Sequence, residues 1–241
     1  MSIAFVDASL GTNYGSSLTI TLPTYAEDDL LLAFVGRGQN DPQDTWDDYG
    51  GGGNGWTRLV SNYTSLGRDE ETAVFYKVAG ASESDPTFTH GGNYNLTGII
   101  ASYRGGDTSS PFDVAYNNSN HFLFTLDDST PTPQPITTAT DGAAVIVMSH
   151  VNNGEISAIG APTSYTLRES SVSTNANIML ADRTIASAGT ETPGAWNNTA
   201  SGNLGESHSY TVAIKPAGAG PEPPEGIIPL VVYNRMMQGI Q

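Results

Sequence analysis

The chain contains no cysteine, which excludes disulfides, thiolate metal sites and cysteine nucleophiles. Basic residues are scarce: 9 Lys and Arg stand against 25 Asp and Glu, giving a formal charge of −16. Because nucleic-acid affinity comes largely from basic side chains that neutralise phosphates, we expect no nucleic-acid partner. No stretch approaches the roughly 18 apolar residues of a membrane helix, and MSIAFVDASLG lacks the basic start of a secretion signal. We therefore expect synthesis in a cytoplasm and no membrane partner.

Charged residues make up only 14% of the chain, whereas glycine (27) and proline (14) are frequent, which favours turns over exposed helices. Residues 28–38, DDLLLAFVGRG, are typical of a strand that is buried on both faces. Similar apolar segments at residues 72–79, 96–104, 143–150 and 209–215, with shorter ones at 2–6, 17–22, 56–63 and 87–90, predict further strands. The predicted core comprises Leu31, Ala33, Val35, Val74, Phe75, Ile99, Val145, Val147 and Val212.

These segments predict an all-β protein whose body is an eight-stranded, jelly-roll-like β-sandwich. Four landmarks recur at offsets of 107 to 112 residues, which indicates an internal duplication as one interpretation and the ordinary self-similarity of sandwich strands as the other. The paired landmarks are Asp29 and Asp141, Trp56 and Tyr165, Pro86 and Pro193, and Arg104 and Lys215.

The composition divides the chain into a body (residues 1–215), a Pro- and Gly-rich linker (216–226, PAGAGPEPPEG) and an apolar C-terminal peptide (227–241, IIPLVVYNRMMQGIQ). An apolar peptide on a linker is unfavourable in water, so we expect it to dock on a partner, for example by adding a strand to a sheet. Its candidate contact residues are Ile227, Ile228, Leu230, Val232, Tyr233, Arg235, Met236 and Met237.

The polar, glycine-rich segment at residues 39–55 contains the other candidate site. Asp41, Asp44, Asp47 and Asp48 crowd its first half and could supply oxygen ligands to calcium, the only cofactor considered, although the spacing is not that of an EF-hand. Trp46 and Tyr49 are aromatic residues of the kind that stack on sugars or anchor an interface. A plain solvated or intersubunit loop is the alternative interpretation.

No motif predicts an enzyme, and we expect none. The glycines of Gly50-x-Gly52-x-x-Gly55 match a dinucleotide-binding fingerprint, but a strand, not a helix, is predicted to follow them. The histidines are His90, His121, His150 and His208, and none has metal-binding spacing, so we expect structural histidines with hydrogen-bond partners. No Gly-x-Ser-x-Gly elbow is present.

The succession GWTRL, AVFYKVA, IIASYRGGD, SPFDV and YTVAIKPA resembles a poorly characterised group of structural proteins of tailed bacteriophages. The resemblance implies a virion protein that is exposed on the particle surface as a capsid decoration or head-fibre subunit. Subunits of this kind commonly assemble as homo-oligomers, and we expect a trimer. The change of composition after Gly226 predicts that the C-terminal peptide attaches it to another virion protein such as the major capsid protein. The alternative is a carbohydrate- or receptor-binding module of a tail fibre.

Overall fold

The computed structural model describes residues 2–38, 55–64, 70–125, 128–152, 156–173, 176–200 and 205–218. Across these ranges the protein is all-β, with one helical turn, α1 (Asn118–His121), between its two halves. Among these residues no helix is long and apolar enough to cross a membrane.

The first half forms one antiparallel sheet. Its strands are β1 (Ala4–Thr19), β2 (Leu30–Gly38), β3 (Thr57–Thr64), β4 (Glu70–Val78) and β5 (Thr87–Arg104). Their order across the sheet is β1-β5-β2-β4-β3, so the fully buried β2 lies at the centre.

The second half forms a second antiparallel sheet and two short ribbons. Its strands are β6 (Phe122–Thr125), β7 (Ile136–Thr137), β8 (Ala144–Asn152), β9 (Ile156–Ala158), β10 (Thr166–Ser171), β11 (Asn177–Thr184), β12 (Thr190–Glu191), β13 (Thr199–Ala200) and β14 (Glu206–Ile214). The sheet order is β10-β11-β8-β14-β6, with β8 at the centre, while β7 pairs with β12 and β9 with β13.

The two sheets repeat one topology. Read from opposite edges, β1-β5-β2-β4-β3 corresponds strand for strand to β6-β14-β8-β11-β10. Trp56 and Tyr165 lie directly before β3 and β10, and both are buried. Arg104 ends β5, and Lys215 directly follows β14. This is the arrangement that a duplicated half would produce.

The sheets pack face to face, with β2 on β8, β4 on β14, β5 on β11 and β1 on β10. The all-β prediction and the two-sheet sandwich are therefore confirmed. The eight-strand count and the jelly-roll-like arrangement are not, because the two sheets hold five strands each and every sheet is built from one half of the chain. Among the strands that were not predicted, β10 is a polar edge strand, which carries little of the apolar pattern that identifies a core strand.

The hydrophobic core has three layers because side chains alternate along each strand. Leu32 and Phe34 of β2 meet Ile146 and Met148 of β8 between the sheets. The intervening residues of both strands point outward, where segments of their own half cover them. β2 and β8 are consequently buried on both faces, and all nine predicted core residues are at most 3% exposed.

The prediction of two opening strands, and of separate strands at residues 87–90 and 96–104, is wrong. β1 and β5 are single long strands that pair from Ala4 to Thr19 of β1, and the pairing is interrupted only at Ser16 and at residues 90–93 of β5, apart from a shift near Phe5. A register shift between Gly15 and Ser17 lets the pair bend back, so that Leu18 and Phe88 pack on the outer face of their own sheet. Backbone hydrogen bonding along an edge strand tolerates polar side chains, which explains the miss.

The sandwich has two distinct ends. β2 and β8 finish at one end, which we call the loop end; the segments 39–54, 65–69, 153–155 and 201–204 begin or finish at strand ends there. At the opposite end, the tail end, the chain continues from β14 towards the linker. There the Ala217 N–H donates to the Gly105 carbonyl at 2.8 Å, beside the carbonyl of Ser2.

Candidate functional site

At the loop end, buried polar side chains replace apolar ones both between the sheets, around Glu70, and on the outer face of the first sheet, around Arg37. We call this group the polar cluster, and its members are Arg37, Glu70, Glu71, Thr72, His90, His150, His208 and Tyr210. Each residue of the cluster is at most 5% exposed, although the chain carries few buried charged groups elsewhere in the described ranges. Buried polar groups are costly unless they are paired, so their contacts indicate what the cluster does.

Glu70 links the sheets through two histidine contacts. Its Oε1 lies 2.7 Å from His150 Nδ1 and accepts a hydrogen bond from the His208 backbone N–H at 3.1 Å. Burial raises the pKa of Glu70 well above its ordinary value, and the nearby Glu206 carboxyl adds to this effect. Burial, assisted by the Arg37 charge, lowers the pKa of His150 to about 3. Burial therefore disfavours the charged form of both the Glu70 carboxyl and the His150 imidazole.

His208 bonds through both ring nitrogens across the sheet interface. Nε2 lies 2.5 Å from Thr64 Oγ1, and Nδ1 lies 2.8 Å from Thr72 Oγ1. The same threonine hydroxyl lies 2.6 Å from the Tyr210 hydroxyl. Burial lowers the pKa of His208 well below its ordinary value, and His150, its direct cross-strand neighbour, adds repulsion. A neutral imidazole therefore joins the ends of β3 and β4 to β14.

The charged part of the cluster is compact. Arg37 is fully buried, with Nε 3.3 Å from Glu71 Oε2 and its guanidinium centre 4.4 Å from the Tyr94 ring centroid. The same carboxylate oxygen lies 2.7 Å from His90 Nε2. The Arg37 and Glu71 charges thus compensate each other, and the aromatic face adds a favourable cation–π contact.

The contacts of the polar cluster hold strand ends together. The side chains are buried, and the described residues contain no group of three His, Cys, Asp or Glu that could hold a metal ion. A Cβ on Gly36 would lie 2.5 Å from the His150 ring, so the sheets approach too closely there for another side chain. The polar cluster therefore fixes the strand ends from which the loop-end connections start.

A groove opens at the sheet edges beside the loop end. It has a volume of about 400 Å³ and lies between β1, β5 and the turn after β10. Tyr14 and Val172 line it and are 64% and 46% exposed, which is unusual for large apolar side chains on the described surface. We call this feature the edge groove.

A second pocket, of about 470 Å³, lies at the tail end and is lined by acidic residues and by Gly218 at the start of the linker. Asp29 accepts two hydrogen bonds from Arg104, at 2.9 and 2.8 Å. Asp107 accepts one from Lys215 at 2.9 Å, and that bond together with backbone N–H donors of Ser110 and Ser109 lowers the pKa of Asp107. These pairs fix the point where the linker leaves the body.

The site residues that the sequence suggested fall outside the described ranges. This holds for the aspartates and aromatic residues of the polar segment and for all contact residues of the C-terminal peptide. Calcium binding, sugar stacking and docking at those positions remain predictions. The four histidines, in contrast, are described, and each has the hydrogen-bond contacts expected of a structural histidine.

Sequence reasoning missed both the polar cluster and the edge groove. The sequence does show a charged residue or a histidine close to the end of each of three otherwise apolar strands. These residues are Arg37 in β2, Glu70 and Glu71 in β4, and His150 in β8. Such residues also mark ordinary strand boundaries, so the pattern does not show that they meet. No single segment carries the groove, because its walls come from both halves of the chain.

The fold and the site define a two-sheet all-β sandwich with a buried polar end. No protein family, curated protein or solved structure matches the chain.

Proposed function

We propose that the protein is a structural subunit of a bacteriophage virion, displayed on the particle as a decoration or head-fibre protein and attached through residues 227–241. The observation that carries this proposal is that the two ends of the body are structurally different. The chain leaves towards the linker at the tail end, whereas the loop-end connections lie at the other end of both sheets. A body held at its tail end presents its loop end outward.

The strand that leads into the linker, β14, is well suited to resist a mechanical pull. β14 pairs with β8 over its whole length and with β6 at its start. On the β6 side, Lys215 N–H donates to the Pro111 carbonyl at 2.8 Å, and Asp113 N–H donates to the Ala213 carbonyl at 2.8 Å. A pull on the linker along β14 is therefore shared among many backbone hydrogen bonds.

Charge and core support the same role. A formal charge of −16 keeps subunits soluble at high local concentration through mutual repulsion. Stability without disulfides comes from the three-layer core, which gives the body a fixed shape. We include in the proposal a homotrimeric assembly and a virion protein such as the major capsid protein as the partner that receives the C-terminal peptide.

Particle binding tests the proposal. Labelled intact protein and a variant that ends at Gly218 are mixed with particles lacking the native protein, and the bound fraction is measured after sedimentation. We expect the intact protein to bind and the shortened one to remain free. A Leu230→Asp, Val232→Asp variant should also remain free, whereas the matched Gln238→Asp, Gln241→Asp variant adds equal charge at polar positions and should bind. Equal binding of the intact and shortened proteins would refute attachment through the peptide.

A further inference from the structure

β1 forms an edge of the first sheet, and part of that edge is open to another strand. Among the described residues β1 pairs with β5 alone, so alternate residues direct their backbone N–H and C=O groups away from the sheet. The register shifts only near Phe5 and after Gly15, so residues 7–15 keep one continuous register. The segment from Ala8 to Gly15 contains no charged residue and no proline. We call this segment the β1 edge.

The other edge strands carry the features that natural sheets use against unwanted strand pairing. β10 contains Arg168 and Glu169, and its register shifts at the same place. β3 contains Arg58, again with a register shift beside it. β6 has only four residues. Of the edges of the two five-stranded sheets in the described ranges, the β1 edge is therefore the one without such protection.

Exposed apolar side chains collect on the same side of the body. Leu10 pairs with Ile99, which packs between the sheets, so alternation places Leu10, Thr12 and Tyr14 on the inner face of β1. Leu10 is 38% exposed and Tyr14 is 64% exposed. Val172, the remaining exposed large apolar side chain of the described residues, directly follows β10, which packs on β1. A partner at the β1 edge would cover apolar surface as well as backbone.

The absence of charge indicates another copy of the chain as the partner. Two proteins with a formal charge of −16 repel each other, so their contact is most favourable where neither surface is charged. The carboxylate next to the β1 edge, Asp7, already accepts hydrogen bonds from the Ala8 N–H at 2.9 Å and the Thr24 N–H at 2.8 Å. A basic partner would find no acidic side chain on the β1 edge to pair with.

We propose that the β1 edges of two copies pair as antiparallel strands about a two-fold axis at Thr12. In this register Leu10 of each copy lies opposite Tyr14 of the other, on the same face, so that both exposed side chains are covered. The β1 edge is thus complementary to itself, as an isologous contact requires.

This contact goes beyond the structural role proposed above and does not depend on it. A two-fold contact joins copies in pairs, so it gives a dimer on its own and a hexamer together with the proposed trimer. Failure of the trimer and failure of the two-fold contact therefore produce different masses.

The lack of cysteine allows a direct test by cross-linking of the full chain. Thr12→Cys should form a disulfide-linked dimer under mild oxidation, because residue 12 faces itself across the axis within disulfide distance. Leu10→Cys and Tyr14→Cys should each form little dimer alone, whereas an equal mixture of the two should form a mixed dimer. The control Thr57→Cys, at an exposed position of the β3 edge, should not cross-link.

Sedimentation velocity measures the same contact without a cross-link. The intact protein should sediment as a dimer or hexamer at micromolar concentration, and Thr12→Lys should halve that mass, because like charges would face each other at the axis. Thr57→Lys adds the same charge at the β3 edge and should keep the parent mass. Tyr14→Ala should raise the dissociation constant of the two-fold contact roughly tenfold, through loss of both Leu10–Tyr14 pairs. All variants should keep the circular dichroism spectrum of the parent, since these positions are exposed.

Several outcomes would overturn the proposal. Equal cross-linking of Thr12→Cys and Thr57→Cys would do so, as would an unchanged mass of Thr12→Lys. An intact protein that sediments as a monomer or a trimer would contradict a two-fold contact. Loss of the contact in the variant that ends at Gly218 would also overturn it, because the C-terminal peptide of a neighbouring copy would then be the occupant of the β1 edge.

Discussion

Replacement of Glu70 by glutamine should make the protein less sensitive to alkaline pH. Glutamine keeps the size of the side chain and an oxygen that can accept from the His208 N–H, but it cannot ionise. Burial raises the pKa of Glu70 well above its ordinary value of 4.5, so the folded protein keeps a proton there that the unfolded chain releases. The free energy of unfolding of the parent protein should therefore fall as pH rises, by about 1.4 kcal/mol per pH unit while Glu70 remains protonated.

The histidines of the polar cluster act in the opposite direction at lower pH. The pKa of His150 is lowered to about 3 and that of His208 well below its ordinary value, mainly by burial. Below their ordinary pKa of 6.5 the unfolded chain binds protons that the folded protein does not, so stability increases as pH rises towards 6.5. Glu70 thus lowers stability as pH rises above its ordinary pKa of 4.5, whereas the two histidines lower it as pH falls below 6.5.

Urea denaturation at pH 6.5 and 8.5 measures this effect. The stability of Glu70→Gln relative to the parent should rise with pH wherever folded Glu70 keeps its proton, by up to roughly 1.4 kcal/mol per pH unit, because the variant has no group there to ionise. Glu83→Gln is the matched control. Burial raises the pKa of Glu83, but the Lys77 side chain and the Gly80 N–H lower it by more, so its effect should not change over this range. A constant difference for Glu70→Gln would mean that Glu70 is ionised in the folded protein.

Two further substitutions test the packing and the tail end. Leu32→Ala should lower the free energy of unfolding by about 2–5 kcal/mol, because Leu32 is fully buried between the sheets. The control Leu10→Ala, at a 38% exposed position, should change the free energy of unfolding by less than about 1 kcal/mol. Equal effects of the two substitutions would contradict the assigned core. Asp29→Ala should lower the free energy of unfolding by about 1–3 kcal/mol, since Arg104 loses two hydrogen bonds and the Ala26 N–H loses its acceptor. An unchanged urea midpoint for this variant would show that these hydrogen bonds add nothing to stability.

The sequence identified the centre of the fold because the central strands carry an unusual pattern. Residues 28–38 and 143–150 are nearly continuous apolar runs, and only burial on both faces accounts for such runs in strands. Trp56 and Tyr165 were also recognisable as landmarks, since a large aromatic residue directly before a polar strand packs inward on the outer layer of the core.

The edges and the sites could not be predicted in the same way. β1 is an edge strand that is held by backbone hydrogen bonds to β5, and backbone bonding leaves little trace in side-chain pattern. The polar cluster depends on the close approach of Gly36 and His150, which are distant in sequence and meet only because β2 packs on β8. The edge groove depends on where the second sheet stops, which is a property of the assembled sandwich.

Attachment through the C-terminal peptide is the central claim, and a transplant tests it most directly. Residues 216–241 are fused to an unrelated soluble protein and mixed with particles that lack the native protein, alongside the body alone, residues 1–215. Burial of even half of the nine large apolar side chains in this peptide, at roughly 1.5–3 kcal/mol each, would outweigh the cost of ordering it. We expect the fusion to decorate the particles and the body to remain free. A free fusion with a bound body would contradict the claim and place the attachment surface on the sandwich.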